Sequence, residues 1–284
     1  MFITDLYDRL CTWYFGWYLY AFAAVYTQTF AVKYWVIQWL QPDVVHGHRV
    51  VLGGDTSVLV YGREDASTVL FMVPGGGFVL DRTGAIDHTM HVLSRELDIL
   101  VIVCPYHLAP VAKFPQIHDA VRATFEDTAA RFGFQEKSVF VGGASAGGSI
   151  AMDLVSYMQE AEMALAGTIL WYMTPQMSAV SASGLKYQTM SLALWDYLYY
   201  IQSYTTSWND IDSPRMSPLR STYAPFRCLS FVSNRDIFRE SQAEFAEMVG
   251  ADVHMVDHRH GYLDNVEHAA ADIATMRDFL AVIG

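Results

Sequence analysis

The sequence predicts an α/β fold in which a mostly parallel sheet is covered by helices on both faces. Short, nearly continuous apolar runs, typical of buried parallel strands, alternate along the chain with longer helical patterns. A glycine-rich turn over residues 142–148 joins one such run to the helical pattern that follows it. This alternation places parallel strands in one sheet and helices on its two sides.

The predicted elements define a core and an insertion. Strand-like runs cover residues 58–61, 68–73, 99–104, 138–141, 168–172, 228–232 and 253–256. Helical patterns cover residues 87–96, 117–131, 145–159, 239–249 and 266–282. Residues 175–213 break the alternation with an aromatic helix starting near residue 192, so we expect an inserted helical cap there. The core then comprises residues 44–174 and 214–284, preceded by an apolar helical segment over 1–43.

The N-terminal segment is apolar and aromatic. No charged residue occurs from Cys11 to Val32, and Lys33 is the only one before Asp43, a length that could span a bilayer. Several tyrosines fall mid-segment, however, where a spanning helix prefers aliphatic side chains. A basic start and a clear cleavage site are lacking, which argues against a signal peptide. Two interpretations stay open: part of a lid over the core, or a membrane anchor formed by residues 11–40.

Composition narrows the class of protein. The 284 residues are 52% hydrophobic with a net charge of −12, which argues against nucleic acid or anionic lipid as a partner. Three widely spaced cysteines imply no disulfide framework, and no Cys/His cluster has metal-ligand spacing. We therefore expect no metal and no cofactor. The expected location is the cytoplasm or a membrane surface, with the endoplasmic reticulum open, rather than disulfide-dependent secretion.

A candidate nucleophile lies in the glycine-rich turn. Gly143-x-Ser145-x-Gly147 has the spacing of a nucleophile elbow, in which a serine sits on a sharp turn between a strand and a helix. The helix start behind the serine would present unpaired N–H groups and partial positive charge to an oxyanion. A glycine-rich turn with a merely structural serine is the alternative, but the strand before and the helix after favour the elbow.

A second glycine-rich stretch precedes the elbow. After the strand-like run that ends at Val73 come Pro74 and three glycines, followed by Phe78. Consecutive glycines let backbone N–H groups turn toward a bound carbonyl oxygen without obstruction by side chains. Alone this stretch could be a flexible turn, but it carries more weight when an elbow follows it.

The two motifs together resemble the hormone-sensitive-lipase branch of the α/β-hydrolases. Supporting stretches follow in the family's order over roughly residues 50–284: 106–110, 114–115, 217–219 and 260–262. The resemblance implies an α/β-hydrolase fold with a helical cap. It also implies an oxyanion hole made by the N–H groups of Gly76, Gly77 and Ala146.

The resemblance also implies a base late in the chain, because α/β-hydrolases run serine, acid, histidine. His260, followed by Gly261-Tyr262, matches the family's histidine. His254 and His258 would lie on the same face as His260 if this stretch forms a strand, so side-chain alternation does not distinguish the three. His268 lies in the last helical pattern and is read as an ordinary surface histidine.

The orienting acid is expected just after the preceding strand. Residues 236–240 resemble the family's Asp-Pro-Leu-Arg-Asp, which makes Asp236 the candidate. A shifted alignment would put Arg235 there, which would be chemically useless. Alternatively, Asp236 only caps the helix that follows.

Three motifs depart from the family pattern. Pro74 replaces a histidine before the glycines, and Ala144 replaces an aspartate before the serine. Residues 105–111 read Pro-Tyr-His-Leu-Ala-Pro-Val where the family usually has Asp-Tyr-Arg-Leu-Ala-Pro-Glu. Each change removes a polar or charged group near the site. We expect altered support around the site and an altered substrate range.

These residues predict a metal-free serine hydrolase of carboxylic esters. Cap and N-terminal aromatics that face the elbow would favour a hydrophobic small-molecule ester, such as an acetylated lipid, sterol or secondary metabolite. Phe78, Trp195 and Tyr199 are the candidate substrate contacts. Two rivals stay open: a non-hydrolytic dehydratase or cyclase on the same scaffold, and a small-molecule receptor that has lost turnover. The oligomeric state is not predicted.

Overall fold

The computed structural model describes residues 31–53, 56–177, 184–187, 192 and 194–282. The chain divides into two compact units, the first ending at Leu40 and the second beginning at Gln41. Within the first unit, the described residues form a helix over 31–39. Residues 11–30 of the predicted anchor lie outside the described residues. No helix in the described part of the chain combines the length and apolar character needed to cross a membrane.

The described residues of the second unit contain an eight-stranded sheet. Its spatial order is β1-β2-β4-β3-β5-β6-β7-β8. The pairs β1–β2 and β2–β4 are antiparallel, and all other neighbours are parallel. The strands are β1 (His48–Gly53), β2 (Thr56–Tyr61), β3 (Thr68–Val73), β4 (Leu100–Val103), β5 (Ser138–Ala144), β6 (Gly167–Trp171), β7 (Cys228–Arg235) and β8 (Asp252–Arg259).

Helices cover both faces of this sheet. They are α1 (Thr83–Glu96), α2 (Gln116–Phe132), α3 (Ala146–Glu160), α4 (Leu194–Tyr204), α5 (Arg239–Val249) and α6 (Val266–Ala281). Successive side chains of a strand point to opposite faces. On β3, Leu70 and Met72 therefore join the apolar cluster beneath α1 and α6, whereas Phe71 meets Phe125 of α2 edge to face.

The predicted fold class is confirmed, with one strand missed. β1 is an edge strand whose residues are mostly exposed or half-buried, so it carries no apolar run to detect. Helix α1 begins at Thr83, earlier than predicted, and its N-cap residue Arg82 is not one of the residue types that mark a helix start in sequence.

Between β6 and β7, the described residues form α4 and three short 3-10 segments, Gly184–Tyr187, Trp208–Asp212 and Pro218–Arg220. Residues 178–183, 188–191 and 193 lie outside the described part. The boundaries of the core and of the cap over 175–213 stay a prediction.

Candidate active site

Ser145 lies on a sharp turn between strand β5 and helix α3. Strand β5 is itself flanked by β3 and β6. The Ser145 backbone adopts φ 52° and ψ −126°, a conformation rare for a residue with a side chain, and its N–H donates to the Trp171 carbonyl oxygen at 3.0 Å. The turn is tight enough that a Cβ on Gly147 would lie 2.2 Å from the Val73 carbonyl oxygen. Only glycine fits there, as the elbow spacing requires.

The predicted nucleophile, base and acid form one continuous chain of contacts. Ser145 Oγ lies 2.6 Å from His260 Nε2, and His260 Nδ1 lies 2.7 Å from Asp236 Oδ2. Asp236 is fully buried, and Ser145 is 8% exposed. Tyr172 and Phe238 each pack edge to face on the His260 ring. This geometry lets the imidazole take a proton from the serine while the carboxylate holds the other ring nitrogen.

Asp236 has partners besides the histidine. Its Oδ1 accepts the Phe238 N–H at 2.9 Å, just ahead of α5, and its Oδ2 also accepts from Gln242 Nε2 at 2.9 Å. The carboxylate thus holds the backbone at the start of α5 and also contacts His260. Asp236 therefore makes the contacts expected of a helix cap and those expected of an orienting acid. Arg235 points elsewhere and pairs with Asp257 on the exposed surface.

The competing histidines lie away from Ser145. His254 packs edge to face on Phe231, and its Nδ1 lies 3.3 Å from Thr275 Oγ1. His258 stacks on His268 with the ring centroids 4.3 Å apart. His260 differs from both because it follows the end of β8, where the chain turns toward the elbow.

The glycine loop curls beside the serine. Gly76 and Gly77 have φ values of 121° and 59°, and a Cβ on Gly76 would lie 2.1 Å from the Leu80 carbonyl oxygen. Among the described turn and loop hydrogen bonds between backbone groups, none is donated by the N–H of Gly76, Gly77 or Ala146. All three residues line the same cleft as Ser145.

The structure shows the surroundings of Pro74, Ala144 and Val111, three positions that depart from the family pattern. The Tyr106 hydroxyl lies 3.3 Å from the carbonyl oxygens of both Pro74 and Gly75, which ties down the start of the glycine loop. Ala144 is buried within the apolar cluster under α1 and α6, and Val111 is exposed.

Helix α3, which begins behind the serine, is anchored by a buried carboxylate. Asp153 contacts Arg122 at 2.7 Å, Arg215 at 3.0 Å and His118 Nδ1 at 3.0 Å. Burial alone would raise the pKa of Asp153, but the contacts with His118 and the two arginines outweigh it and lower the pKa to about 2. The carboxylate is therefore ionised near neutral pH.

A second buried acid links the serine and histidine loops. Asp272 Oδ2 accepts from the Tyr262 hydroxyl at 2.7 Å and from Trp171 Nε1 at 3.1 Å. Trp171 is the residue whose carbonyl oxygen binds the Ser145 N–H, and Tyr262 follows His260 closely in sequence. Burial raises the pKa of Asp272 to about 6, although both hydrogen bonds oppose the rise. No sequence pattern marked this residue.

The cleft above Ser145 has an empty volume of about 800 Å³, its open mouth included. Its apolar and aromatic walls comprise Phe78, Leu80, Ile86, Tyr172, Leu192, Tyr197, Tyr200 and Phe238. Arg82 and Asp264 also line it, and sequence patterns gave no signal for either. No group of three or more acidic, histidine or cysteine side chains within the described residues is placed to hold a metal.

The predicted substrate contacts have different outcomes. Phe78 lines the cleft, although most of its ring stacks on Tyr204 with the centroids 3.7 Å apart. Tyr199 is buried and is not among the described residues that line the cleft. Adjacent residues of a helix point about 100° apart, and Tyr200 takes the position facing the cleft. The Trp195 side chain lies outside the described part of the structure.

A family model described as the alpha/beta hydrolase fold matches residues 70–271. The chain belongs to the α/β-hydrolase fold family. The match covers both glycine-rich motifs and all three residues of the Ser145–His260–Asp236 chain.

Solved structures similar to this α/β-hydrolase include three esterases. An esterase of Pyrobaculum calidifontis has a TM-score of 0.76 at 17% identity, covering 89% of this chain and 91% of that chain. Carboxyl esterase 2 of Tuber melanosporum has a TM-score of 0.73 at 18% identity, with coverage of 89% and 97%. A thermostable esterase of Pseudomonas putida has a TM-score of 0.70 at 20% identity, with coverage of 84% and 82%. At these identities the likeness establishes the fold.

Proposed function

We propose that this α/β-hydrolase is a serine carboxylic-ester hydrolase with Ser145 as its nucleophile. The observation that carries the proposal is the chain of two short contacts, 2.6 Å from Ser145 Oγ to His260 Nε2 and 2.7 Å from His260 Nδ1 to Asp236 Oδ2. A serine on an elbow, a base within hydrogen-bond reach and a buried acid behind that base are the parts that acyl transfer needs.

In the proposed first half-reaction, Ser145 Oγ attacks the ester carbonyl carbon while its proton passes to His260 Nε2. The carbonyl oxygen becomes an oxyanion, stabilised by the N–H groups of Gly76, Gly77 and Ala146. Collapse of this intermediate breaks the bond to the alkoxy oxygen. The imidazolium returns its proton to that oxygen, so that the alcohol leaves and an acyl-Ser145 ester remains.

In the second half-reaction, water attacks the acyl-Ser145 carbonyl and gives a proton to His260. The oxyanion forms again and collapses, the carboxylic acid leaves, and the proton restores the Ser145 hydroxyl. The Asp236 carboxylate keeps the proton of the neutral imidazole on Nδ1 and stabilises the imidazolium when it forms.

The cleft supports a small ester with a substantial apolar part, because aromatic and aliphatic side chains make up most of its walls. An acetylated lipid, sterol or secondary metabolite would satisfy this requirement.

The test is hydrolysis of p-nitrophenyl acetate and butyrate by the full chain. Wild type is expected to turn over both esters, and Ser145→Ala to lose about a thousandfold or more in kcat. Far-ultraviolet circular dichroism of the variant controls for loss of fold. Absence of turnover by folded wild type would overturn the proposal and favour a dehydratase, a cyclase or a receptor on this scaffold.

A further inference from the structure

Two oppositely charged side chains face each other in the wall of the catalytic cleft. Arg82 follows the glycine loop and directly precedes α1, whereas Asp264 follows His260 in the chain. One guanidinium nitrogen of Arg82 donates to Asp264 Oδ2. Among the described residues that line the cleft, these two are the only charged side chains apart from the titratable His260.

The pair lies at a boundary between water and protein. The Arg82 and Asp264 side chains keep 25% and 35% of their surface exposed, so neither is sealed in the core. Burial nevertheless raises the pKa of Asp264 against the opposing influence of Arg82. A substrate that fills the cleft would remove part of the water that this carboxylate still contacts.

Both side chains keep hydrogen-bonding capacity. Arg82 uses two of the five N–H donors of a guanidinium, one on Asp264 and one on Gln41 Oε1 at 2.9 Å. Asp264 Oδ1 accepts no hydrogen bond from any described residue. The wall therefore offers a donor and an acceptor side by side, with charges that compensate each other.

An apolar substrate would cover this pair at a cost. A hydrocarbon chain that fills the cleft displaces water from the guanidinium and the carboxylate without replacing its hydrogen bonds. A neutral group with both a donor and an acceptor, such as an amide or a hydroxyl, replaces both. An added carboxylate would be attracted by Arg82 but repelled by Asp264 beside it, and it would bring no donor for the Asp264 oxygens.

We propose that the Arg82–Asp264 pair makes the cleft selective for esters that carry a neutral hydrogen-bonding group, an amide or a hydroxyl, in addition to their apolar part. The inference rests on the proposed function and narrows it. In this role Arg82 and Asp264 determine specificity and take no part in the proton transfers at Ser145.

Three p-nitrophenyl esters of equal chain length test the acyl side: hexanoate, N-acetyl-β-alaninate and the monoester of adipic acid. Pentyl butyrate and the butyrate ester of N-acetylethanolamine, which have alcohol chains of equal length, test the alcohol side by titration of the released acid. Each kcat/KM is divided by the rate constant for alkaline hydrolysis of the same ester, which removes intrinsic reactivity. We expect the amide ester to exceed its hydrocarbon partner by about tenfold in at least one series.

Variants assign that preference to the pair. Arg82→Met combined with Asp264→Leu removes both charges at similar volume and is expected to lose most of the tenfold preference. Arg220→Met, which breaks the surface pair with Asp212, is the matched control and is expected to keep the wild-type ratio. Should the double variant not fold, an N-methylated amide ester removes the donor from the substrate, and its kcat/KM with wild type is expected to fall several-fold.

Four outcomes would overturn the inference: an equal or higher kcat/KM for the hydrocarbon esters in both series, a preference for the adipate monoester, a preference that survives in the folded double variant, or no loss on N-methylation. Each of these requires measurable hydrolysis that depends on Ser145. If folded wild type hydrolysed none of the esters, the proposed function would be wrong, and the inference that rests on it would fail as well.

Discussion

Asp236 Oδ2 receives two hydrogen bonds, from His260 Nδ1 at 2.7 Å and from Gln242 Nε2 at 2.9 Å. The carboxylate is fully buried, and its other oxygen accepts the Phe238 N–H. Three donors thus hold it in place, so the orientation of the imidazole ring follows from the packing of β7 and α5. Such fixed support is what a base needs to meet a serine repeatedly in one geometry.

Asp236→Asn is expected to lower kcat for p-nitrophenyl butyrate by about 10³- to 10⁴-fold with a smaller effect on KM. The amide keeps the shape but favours the wrong imidazole tautomer, with Nε2 protonated toward Ser145. Asp257→Asn, which changes an exposed carboxylate on the neighbouring strand, is the control and is expected to keep near wild-type kcat. A variant that retained kcat within a few-fold would show that Asp236 only supports the start of α5.

Gly147→Ala is expected to lower the free energy of unfolding by about 2 kcal/mol or more, because its Cβ would lie 2.2 Å from the Val73 carbonyl oxygen. Backbone cannot move aside as a flexible side chain can. Urea denaturation measures the change. Gly53→Ala is the matched control, since its Cβ meets nothing within 4 Å and its stability should stay within about 1 kcal/mol of wild type. Equal effects of the two substitutions would contradict the steric explanation.

Asp272 predicts a pH dependence of stability. Its folded pKa is raised to about 6, so between about pH 4 and pH 6 the folded state binds more protons than the unfolded state. Its contribution to the free energy of unfolding therefore falls as pH rises through that window. Asp272→Asn removes this dependence. The free energy of unfolding of the variant, relative to that of wild type, should therefore rise by roughly 2 kcal/mol from pH 4 to pH 6.5.

Urea denaturation at several pH values measures that difference. Asp278→Asn changes an exposed carboxylate on the same helix and is expected to follow the wild-type curve. A constant offset between Asp272→Asn and wild type across the window would contradict the raised pKa.

Short-range patterns predicted the parts of this molecule that depend on neighbouring residues in the chain. The elbow around Ser145 and the loop at Gly76 are readable because backbone geometry there demands glycine. Strand β3 is readable because burial on both faces demands a continuous apolar run. The assignment of Asp236 and His260 relied on family order, and their catalytic roles remain a prediction.

Features set by distant contacts could not be predicted from the sequence. Arg82 meets Asp264 in the wall of the cleft, and Asp272 on α6 meets Trp171 at the end of β6. Both pairs are separated in sequence by more residues than any local pattern spans. Tyr199 was expected in the cleft because the aromatic helix could be recognised while its rotation could not. Tyr200, the next residue along that helix, lines the cleft.

The central claim is that His260 activates Ser145 as a nucleophile, and covalent labelling tests it most directly. Wild-type protein is treated with a fluorophosphonate, digested and analysed by peptide mass spectrometry, with Ser145→Ala and His260→Ala in parallel. We predict a single phosphonylated site at Ser145 in wild type, none in Ser145→Ala, and labelling slowed by about a hundredfold or more in His260→Ala. Failure of folded wild type to label at Ser145, or equal labelling rates with and without His260, would contradict the account.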